Sequence, residues 1–171
     1  YLSFKKCFLM IDDEILRNFG NHLRVRVCGI CIENDKILLI KHKNIGKQGY
    51  LWSPPGGGLQ FGESVVDCLK REFMEETNLK IEVKRFLFVH EFLAPPLHAI
   101  ELFFEVSILE GSLKLGTDPE MQEREQILEE VAFLGYESII KKPKGSLHNV
   151  LYKIQKVDDL LKVKSFENYQ K

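Results

Sequence analysis

Glu72, Glu75 and Glu76 lie within five residues of one another, in a segment whose apolar residues recur at helical spacing. Carboxylates three or four residues apart on a helix are neighbours, and each such pair is destabilising by about 0.2–0.5 kcal/mol. Arg71 lies one turn before Glu75 and relieves part of this repulsion. A hard divalent cation would relieve the remainder, because Mg²⁺ and Mn²⁺ prefer clustered carboxylate oxygens. The three glutamates therefore indicate a metal site.

Three consecutive glycines, Gly56, Gly57 and Gly58, precede this helix. Glycine has no Cβ, so a backbone of glycines can approach a phosphate or a metal ion closely. The start of the following helix would direct unpaired N–H groups at an anion. The sequence therefore predicts a glycine turn at which a phosphate, a metal ion and an activated water meet.

A helical plot that begins at Glu63 separates two arcs of the predicted helix. The apolar arc, which is expected to face a sheet, consists of Val65, Val66, Leu69 and Phe73. The glutamates fall on the neighbouring arc, so they are predicted at the rim of the buried face. A solvated helix face would more usually interleave lysines with the acids, and this also favours a functional site.

Alternating apolar residues on either side of this helix predict strands and indicate an α/β (α+β) domain with a mixed sheet. The predicted strands are residues 23–32, 37–40, 79–92, 98–109 and 127–136. Residues 41–50 and 111–126 are predicted as polar loops. A short amphipathic helix is predicted within residues 9–19, and residues 146–171 are predicted as a helical extension packed on the outside.

The composition is that of an ordinary globular protein, with 171 residues, 44% hydrophobic and 29% charged. Residues 1–171 are therefore expected to form a single domain. The net charge of −1 provides no general attraction to nucleic acid. No apolar run reaches the roughly 18–20 residues that a membrane span needs, and no signal peptide is recognisable, so the cytoplasm is the expected location.

Cys28 and Cys31 have the spacing of a zinc-binding or redox pair. They fall within a predicted strand, where two side chains three residues apart face opposite ways. No second such pair or nearby pair of histidines completes a zinc-binding set in the sequence. Both are therefore interpreted as buried thiols in a reducing compartment.

The spacing around the glutamates resembles the Nudix box, the signature of the Nudix (MutT-type) hydrolases. The pattern is Gly57, five residues, Glu63, seven residues, and then REFMEETNL from Arg71 to Leu79. One position departs from it, because Asn78 stands where the family has glycine, and Asn tolerates the left-handed conformation that ends a helix. The preceding WSPPGGGLQFGES is similar to the family's lead-in, with Gln60 where an acid is frequent.

The resemblance extends over about residues 23–140 and leaves extensions at 1–22 and 146–171. It implies the Nudix fold, an α/β/α sandwich around a mixed β-sheet. It also implies metal-dependent hydrolysis of a diphosphate (pyrophosphate) linkage in a nucleoside diphosphate derivative or related nucleotide. In that reaction water attacks one phosphorus while Mg²⁺ or Mn²⁺ neutralises charge on the phosphate oxygens.

The resemblance also assigns roles to residues of the box. Glu72 and Glu76 match the family's metal ligands and Glu75 commonly adds a third, while Glu72 is alternatively part of the catalytic base. Arg71 is expected to orient Glu72 or Glu75. Glu63 is expected either to pair with Arg71 or to lie near a second metal ion.

Five residues outside the box are further candidates. Glu129 and Glu130 lie just before VAFL, where many family members place an extra acidic ligand or base, and Glu101 lies on another strand. For each, a surface glutamate at a strand end is an equally good interpretation. His90 and His98 flank the Ala-Pro-Pro turn and could approach a nucleobase or phosphate, although ordinary loop histidines are the simpler interpretation.

A Nudix-fold domain that binds a nucleotide as a sensor without hydrolysing it is the alternative function, and an isomerase on this fold is a third. The complete set of Arg71, Glu72, Glu75 and Glu76 favours the enzyme. Candidate substrates are nucleoside triphosphates, oxidised nucleotides, ADP-ribose, nucleotide sugars and dinucleoside polyphosphates. A homodimer is a further expectation, because many relatives pair.

Overall fold

A mixed sheet of seven strands forms the centre of the molecule. The structure, a computed structural model, describes residues 16–17, 19–117, 119 and 126–163. The strands are β1 (Leu23–Glu33), β2 (Lys36–Lys43), β3 (Tyr50–Ser53), β4 (Gly56–Gly58), β5 (Leu79–Ala94), β6 (Leu97–Gly111) and β7 (Leu128–Gly135). The α-helices are α1 (Val65–Thr77) and α2 (Tyr136–Ile140), and 3₁₀ helices follow at Asn149–Leu151 and Val157–Lys162.

The sheet is mixed because β1 and β6 are parallel while the other pairs are antiparallel. The strand order is β3-β2-β1-β6-β5, with β4 also paired to β1 and β7 to β2. Strand β1 thus lies at the centre, and its side chains reach both layers of the core. The predicted α+β class and mixed sheet are confirmed.

Side chains of β1 alternate between two apolar clusters, one on each face of the sheet. Val27 and Cys31 pack with α1 on one face, and Cys28 and Ile30 pack in the other cluster. The second cluster includes Ile139 of α2 and side chains of the 3₁₀ segments. Helical segments therefore cover both faces, as the α/β/α prediction requires, and the two cysteines are buried on opposite faces as expected.

Helix α1 begins at Val65 and ends where the sequence predicts. The Oγ atom of Ser64 accepts a hydrogen bond from the N–H of Asp67 at 3.1 Å and so caps the first turn. Asn78 follows the last helical residue with φ 59° and ψ 27°, and its N–H donates to the carbonyl of Met74. The left-handed helix end predicted at Asn78 is confirmed.

The buried face of α1 is rotated from the predicted arc. Val66, which belongs to the predicted apolar arc, is 41% exposed, whereas Cys68, which does not belong to it, is fully buried. The buried residues are Cys68, Leu69, Glu72, Phe73, Glu76 and Thr77. Two of the three glutamates therefore lie within the buried face rather than at its rim, because the helix also packs against the β4 strand through that side.

The three glycines form strand β4 and not the turn that the sequence predicts. Gly56, Gly57 and Gly58 pair with Cys28, Val27 and Arg26 of β1. A Cβ on Gly56 would lie 2.1 Å from the carbonyl oxygen of Val27, and its φ of +146° disfavours any side chain. Gly56 and Gly57 are needed because a Cβ at these positions would collide with β1 and with Glu72 of α1, respectively.

The C-terminal segment differs from the predicted helical extension. Its described part, up to Val163, contains two short 3₁₀ helices instead of one α-helix. Its apolar residues belong to the core: Val150, Leu151, Ile154, Val157 and Leu160 are all at most 7% exposed. The segment packs into the sheet face opposite α1, so the expectation of a helix on the outside was wrong.

The loop predicted at residues 41–50 is shorter in the structure, because residues 41–43 continue β2 and Tyr50 begins β3.

Two other predicted segments are only partly described. Leu16, Arg17 and Phe19 are helical, while the rest of the helix predicted from residue 9 lies outside the described residues. Of the loop predicted at residues 111–126, residues 118 and 120–125 also lie outside them. Within the described part of the chain, no helix is long and apolar enough to cross a membrane.

Candidate active site

One pocket brings together most of the predicted site residues. Arg71, Glu72, Glu75 and Glu76 line it with the glycines of β4, and so does Glu101 of β6. Its lining also includes a cluster of apolar residues, which consists of Phe19, Ile45, Leu97, Ile127 and Leu128. The pocket thus has a carboxylate end and an apolar end, which suits a ligand with both a charged and a planar or apolar part.

Glu76 is fixed against the backbone of β4. The N–H of Gly56 donates to Oε2 of Glu76 at 2.9 Å. The other oxygen, Oε1, lies 3.9 Å from Nε2 of His42. Because Glu76 is only 6% exposed, its carboxylate is held in place and largely removed from solvent.

Glu72 lies one turn before Glu76 on the same buried face. Its Oε1 atom accepts a hydrogen bond from Nη1 of Arg71 at 2.8 Å. Burial and the nearby charge of Glu76 raise the pKa of Glu72 to about 7, against the opposing effects of Arg71 and Arg26. A carboxyl group with such a pKa exchanges a proton readily at neutral pH.

Arg71 joins three carboxylates into one network. Its Nε and Nη2 atoms donate to the two oxygens of Glu63 at 2.8 and 3.0 Å. Its Nη1 atom donates to Glu72 at 2.8 Å and to Glu75 at 3.1 Å. Of the two roles expected for Glu63, the structure shows the pairing with Arg71. Glu63, Glu72 and Glu75 thus share one guanidinium, and with the neighbouring Glu76 the cluster holds more negative than positive charge.

The carboxylates fit a divalent cation by their chemistry. Hard oxygen donors in excess of nearby cations are the donor set that Mg²⁺ and Mn²⁺ prefer. Among the described residues, however, Glu72, Glu75 and Glu76 do not bring three ligand atoms within 4.8 Å of one another. Arg71 draws Glu72 and Glu75 to itself, while Gly56 holds Glu76. Metal binding therefore requires the side chains to converge from these positions.

Proton competition at Glu72 predicts a pH-dependent metal affinity. The pKa of about 7 means that a cation bound through Glu72 displaces a proton at lower pH. Mn²⁺ affinity is expected to rise roughly ten-fold per pH unit up to about pH 7 and then to level off. Calorimetric titration of Mn²⁺ between pH 5.5 and 8 tests this. A flat profile for the wild type, or an equally steep one for Glu72→Gln, would contradict it.

Gly57 makes room for the Glu72 carboxylate, and this gives a second prediction. A Cβ on Gly57 would lie 2.2–2.5 Å from the carboxylate atoms of Glu72, whereas a Cβ on Gly58 would meet nothing within 4 Å. Gly57→Ala is therefore expected to displace Glu72 and to lower Mn²⁺ affinity and turnover by about ten-fold or more, since one carboxylate ligand is lost. Gly58→Ala is the matched control and should change both by less than about two-fold.

The fold should tolerate both glycine variants. The atoms that would collide with the added methyl group in Gly57→Ala belong to the end of a flexible side chain rather than to backbone. The melting temperatures of the two variants are therefore expected to lie close together. If Gly57→Ala bound Mn²⁺ as well as Gly58→Ala does, Glu72 would not be a metal ligand.

Glu101 lies in a second buried cluster at the same pocket. His90 Nδ1 and His148 Nε2 each lie 2.8 Å from Oε2 of Glu101. The other oxygen, Oε1, lies 3.3 Å from Nε of Arg26. Burial would raise the pKa of Glu101, but the interactions with His148, His90 and Arg26 hold that pKa well below its ordinary value. Glu101 is therefore a charged carboxylate, and not a surface glutamate.

His90, Glu101 and His148 place three potential ligand atoms within 4.8 Å. The hydrogen bonds nevertheless favour an arrangement without a metal, in which His90 and His148 hold the carboxylate of Glu101 as a clamp. The N–H of Val150 donates to Nδ1 of His148 at 3.4 Å, which assigns the proton to Nε2, the atom that faces Glu101. A metal-bound histidine would instead donate from its second nitrogen. In this arrangement the two imidazoles donate to Glu101, and these hydrogen bonds offset the free-energy cost of burying its negative charge.

Of the remaining candidates, His98 lines the pocket, whereas the two glutamates of β7 do not. Glu129 and Glu130 are exposed and do not line the pocket, and Glu129 pairs with Lys41 at 2.7 Å. For these two, the surface interpretation fits the structure. His90 and His98 lie on strands β5 and β6 rather than in a loop, and His98 contacts Glu91 at 3.0 Å.

The pocket also contains residues that the sequence analysis did not select. Arg26, His42 and His148 all line it. Arg26 has a signal in the sequence, because Arg24 and Arg26 alternate with valines in LRVRV and must share one face of the strand. His148 has none, since it reaches the pocket from a segment 47 residues beyond Glu101.

Comparison with known proteins agrees with the fold. A family model described as NUDIX domain matches residues 21–150. An ADP-ribose pyrophosphatase of Methanocaldococcus jannaschii is 38% identical over 124 residues, which cover 70% of this chain and 72% of that protein. Phosphatase NudJ of Escherichia coli is 32% identical over 71 residues, or 42% of this chain and 45% of that protein.

Solved structures share the fold at low sequence identity. An ADP-ribose pyrophosphatase from Streptococcus suis has a TM-score of 0.57 and 18% identity, and the match covers 84% of this chain and 98% of that chain. A NUDIX hydrolase from Nitrosomonas europaea has a TM-score of 0.61 and 17% identity, with 82% and 87% covered.

The chain belongs to the Nudix family, because the family model spans most of it and includes the acidic helix and the glycines of β4. It is a Nudix hydrolase, an enzyme that cleaves pyrophosphate bonds, and hydrolases of this family depend on a divalent metal ion.

Proposed function

We propose that this enzyme hydrolyses the diphosphate linkage of a nucleoside diphosphate derivative, with ADP-ribose as the first candidate, and that it uses Mg²⁺ or Mn²⁺. The observation that supports this most strongly is the buried pair Glu72 and Glu76, one helical turn apart at the carboxylate end of the pocket. Burying two like charges side by side is costly, and a bound cation offsets that cost.

The carboxylates have separate tasks in this proposal. Glu76 and Glu72 would hold the metal ion, with Glu75 as a third ligand once Arg71 releases it. When bound, the ion supplies a Lewis acid that neutralises charge on the phosphate oxygens. Glu72 is also the group best suited to accept the proton of the attacking water, because its pKa of about 7 matches a general base at neutral pH.

The apolar end of the pocket supports a nucleoside as the second part of the substrate. Phe19, Ile45 and Leu97 pack with Ile127 and Leu128 there, next to the carboxylates. The guanidinium of Arg24 lies 4.2 Å from the centre of the Phe19 ring. An aromatic ring with a cation above it offers one flat apolar surface for a nucleobase. ADP-ribose is chosen because the Methanocaldococcus jannaschii relative is named for it.

A panel of diphosphate compounds tests the proposal. The enzyme is incubated with ADP-ribose, a nucleotide sugar, a dinucleoside polyphosphate and a nucleoside triphosphate, each with Mg²⁺ or Mn²⁺, and products are identified by mass. ADP-ribose and one water are expected to give AMP and ribose 5-phosphate. If the protein bound these compounds but hydrolysed none, the nucleotide-sensor alternative would replace the enzyme.

A further inference from the structure

We propose that Arg26 binds a phosphoryl group of the substrate, and that Glu101, held by His90 and His148, positions its guanidinium for this. The proposal rests on the proposed function, since it assigns a residue to the recognition of the diphosphate. It follows from a count of the hydrogen-bond donors of the two arginines nearest the carboxylates.

The donors of Arg71 are all used within the protein. A guanidinium has five N–H groups. Those of Arg71 reach the oxygens of Glu63, Glu72 and Glu75 and the carbonyl of Gly58. Arg71 therefore cannot donate to a substrate without releasing a carboxylate, and it serves to neutralise and orient the acidic cluster.

Arg26 has donors to spare and lines the same pocket. Its Nε lies 3.3 Å from Oε1 of Glu101, and one hydrogen of Nη2 goes to the carbonyl of Gly56 at 2.9 Å. The guanidinium also contacts the thiol of Cys28, a weak acceptor, so at least two of its five N–H groups are left for a ligand. The side chain retains 24% of its exposure, which is enough for contact with a pocket ligand.

The position of Arg26 relative to the metal-binding carboxylates fits a diphosphate. The carbonyl of Gly56 accepts from Arg26, and the N–H of the same residue donates to Glu76. One glycine thus separates the guanidinium from a carboxylate that is proposed to hold the metal ion. A phosphoryl group bound to the metal can present its neighbouring phosphoryl oxygens to the guanidinium, and a planar fork suits that contact.

Glu101 explains why this arginine is held in one place. Arg26 and Glu101 are register neighbours on the parallel strands β1 and β6. Glu101 is 4% exposed, and the histidines that donate to its Oε2 are at most 4% exposed. Both imidazoles therefore fix one oxygen of Glu101 and leave the other for Nε of Arg26. A guanidinium held through Nε directs its Nη groups away from the carboxylate.

Binding of methylenediphosphonate, a diphosphate analogue that cannot be hydrolysed, tests the assignment with Mg²⁺ present. Arg26→Gln is expected to bind it about 10- to 100-fold more weakly than the wild type, as expected for lost hydrogen bonds to a charged group. Lys80→Gln removes the same charge from an exposed pair on β5 and β6 and should change the affinity by less than about two-fold. Equal affinity for Arg26→Gln and Lys80→Gln would overturn the proposal.

Arg26→Lys covers the case in which Arg26→Gln does not fold, because it keeps the charge beside Glu101. The single ammonium group of lysine cannot contact both Glu101 and a phosphate in the way that the planar guanidinium does. Binding should therefore still weaken by about five-fold or more. Wild-type affinity in this variant would also overturn the assignment. Mn²⁺ affinity should stay unchanged in Arg26→Lys, since this variant keeps the positive charge and alters no proposed metal ligand.

The positioning role of Glu101 requires a double-mutant cycle. Glu101→Gln alone should weaken methylenediphosphonate binding, and in the Arg26→Gln background it should cause no further loss. Additive losses would show that Glu101 does not act through Arg26. Because the probe is only bound, these results do not depend on which compound is hydrolysed. Failure of the substrate panel would thus refute the proposed function, while the binding data decide the role of Arg26 separately.

Discussion

Removal of divalent cations is expected to abolish turnover and to lower the melting temperature of the protein. Three carboxylates, those of Glu63, Glu72 and Glu75, share the guanidinium of Arg71, and the neighbouring carboxylate of Glu76 lies 3.9 Å from His42. A bound divalent cation favours the folded state by mass action, about 1.4 kcal/mol at ten times its dissociation constant. For a protein of this size the melting temperature should then rise by about 3–6 °C.

The measurement is a thermal melt with EDTA, and then with Mg²⁺ or Mn²⁺ in excess, alongside the turnover of ADP-ribose. Re-addition of the ion should restore turnover fully. The control is the double variant Glu72→Gln/Glu76→Gln, in which Mn²⁺ should no longer raise the melting temperature. Undiminished turnover in EDTA, or an equal melting shift in the double variant, would show that the cation does not act at α1.

The local features of the site could be predicted from the sequence because they depend on neighbouring residues in the chain. The Arg71–Glu75 pair and the left-handed Asn78 are set by helical spacing and by the conformational range of asparagine. The opposite directions of Cys28 and Cys31 follow from the two-residue period of a strand. Each of these features would exist in almost any fold that keeps the same helix or strand.

The features that depend on packing between distant segments could not be predicted in this way. The glycines form a strand because β1 lies beside them, and a local reading of Gly-Gly-Gly favours a turn. The burial of Glu72 and Glu76 results from β4 lying against α1, and an amphipathic plot places carboxylates outside the core. The clamp on Glu101 joins β5, β6 and His148, and no spacing along the chain predicts that meeting.

The difference between local spacing and packing of distant segments also explains why the helix predicted for the C-terminal segment was wrong. The apolar residues from Val150 to Leu160 have helical spacing, and that spacing by itself favours an α-helix. The structure instead folds this segment as two 3₁₀ helices that insert their apolar residues into the core. Burial against the sheet here outweighs the helical preference of a segment interrupted by polar residues.

The substitution Glu76→Gln is expected to lower turnover by about two orders of magnitude or more, a loss of roughly 2.7 kcal/mol of transition-state stabilisation. Glutamine keeps the size of the side chain, and its carbonyl can still accept the hydrogen bond that Gly56 donates to Oε2 at 2.9 Å. Only the negative charge is lost, and a hard cation requires that charge. The matched control is Glu110→Gln, an exposed glutamate paired with Lys80, which should keep wild-type turnover.

Stability and nucleotide binding distinguish a catalytic role of Glu76 from a structural one. Without metal, Glu76→Gln should be at least as stable as the wild type, because the repulsion between buried Glu72 and Glu76 disappears. The same loss of repulsion should bring the pKa of Glu72 down toward its ordinary value. Nucleotide affinity measured without metal should change little, since the apolar end of the pocket is untouched. If the variant instead hydrolysed a confirmed substrate at nearly the wild-type rate, the metal would have to be held elsewhere than on α1.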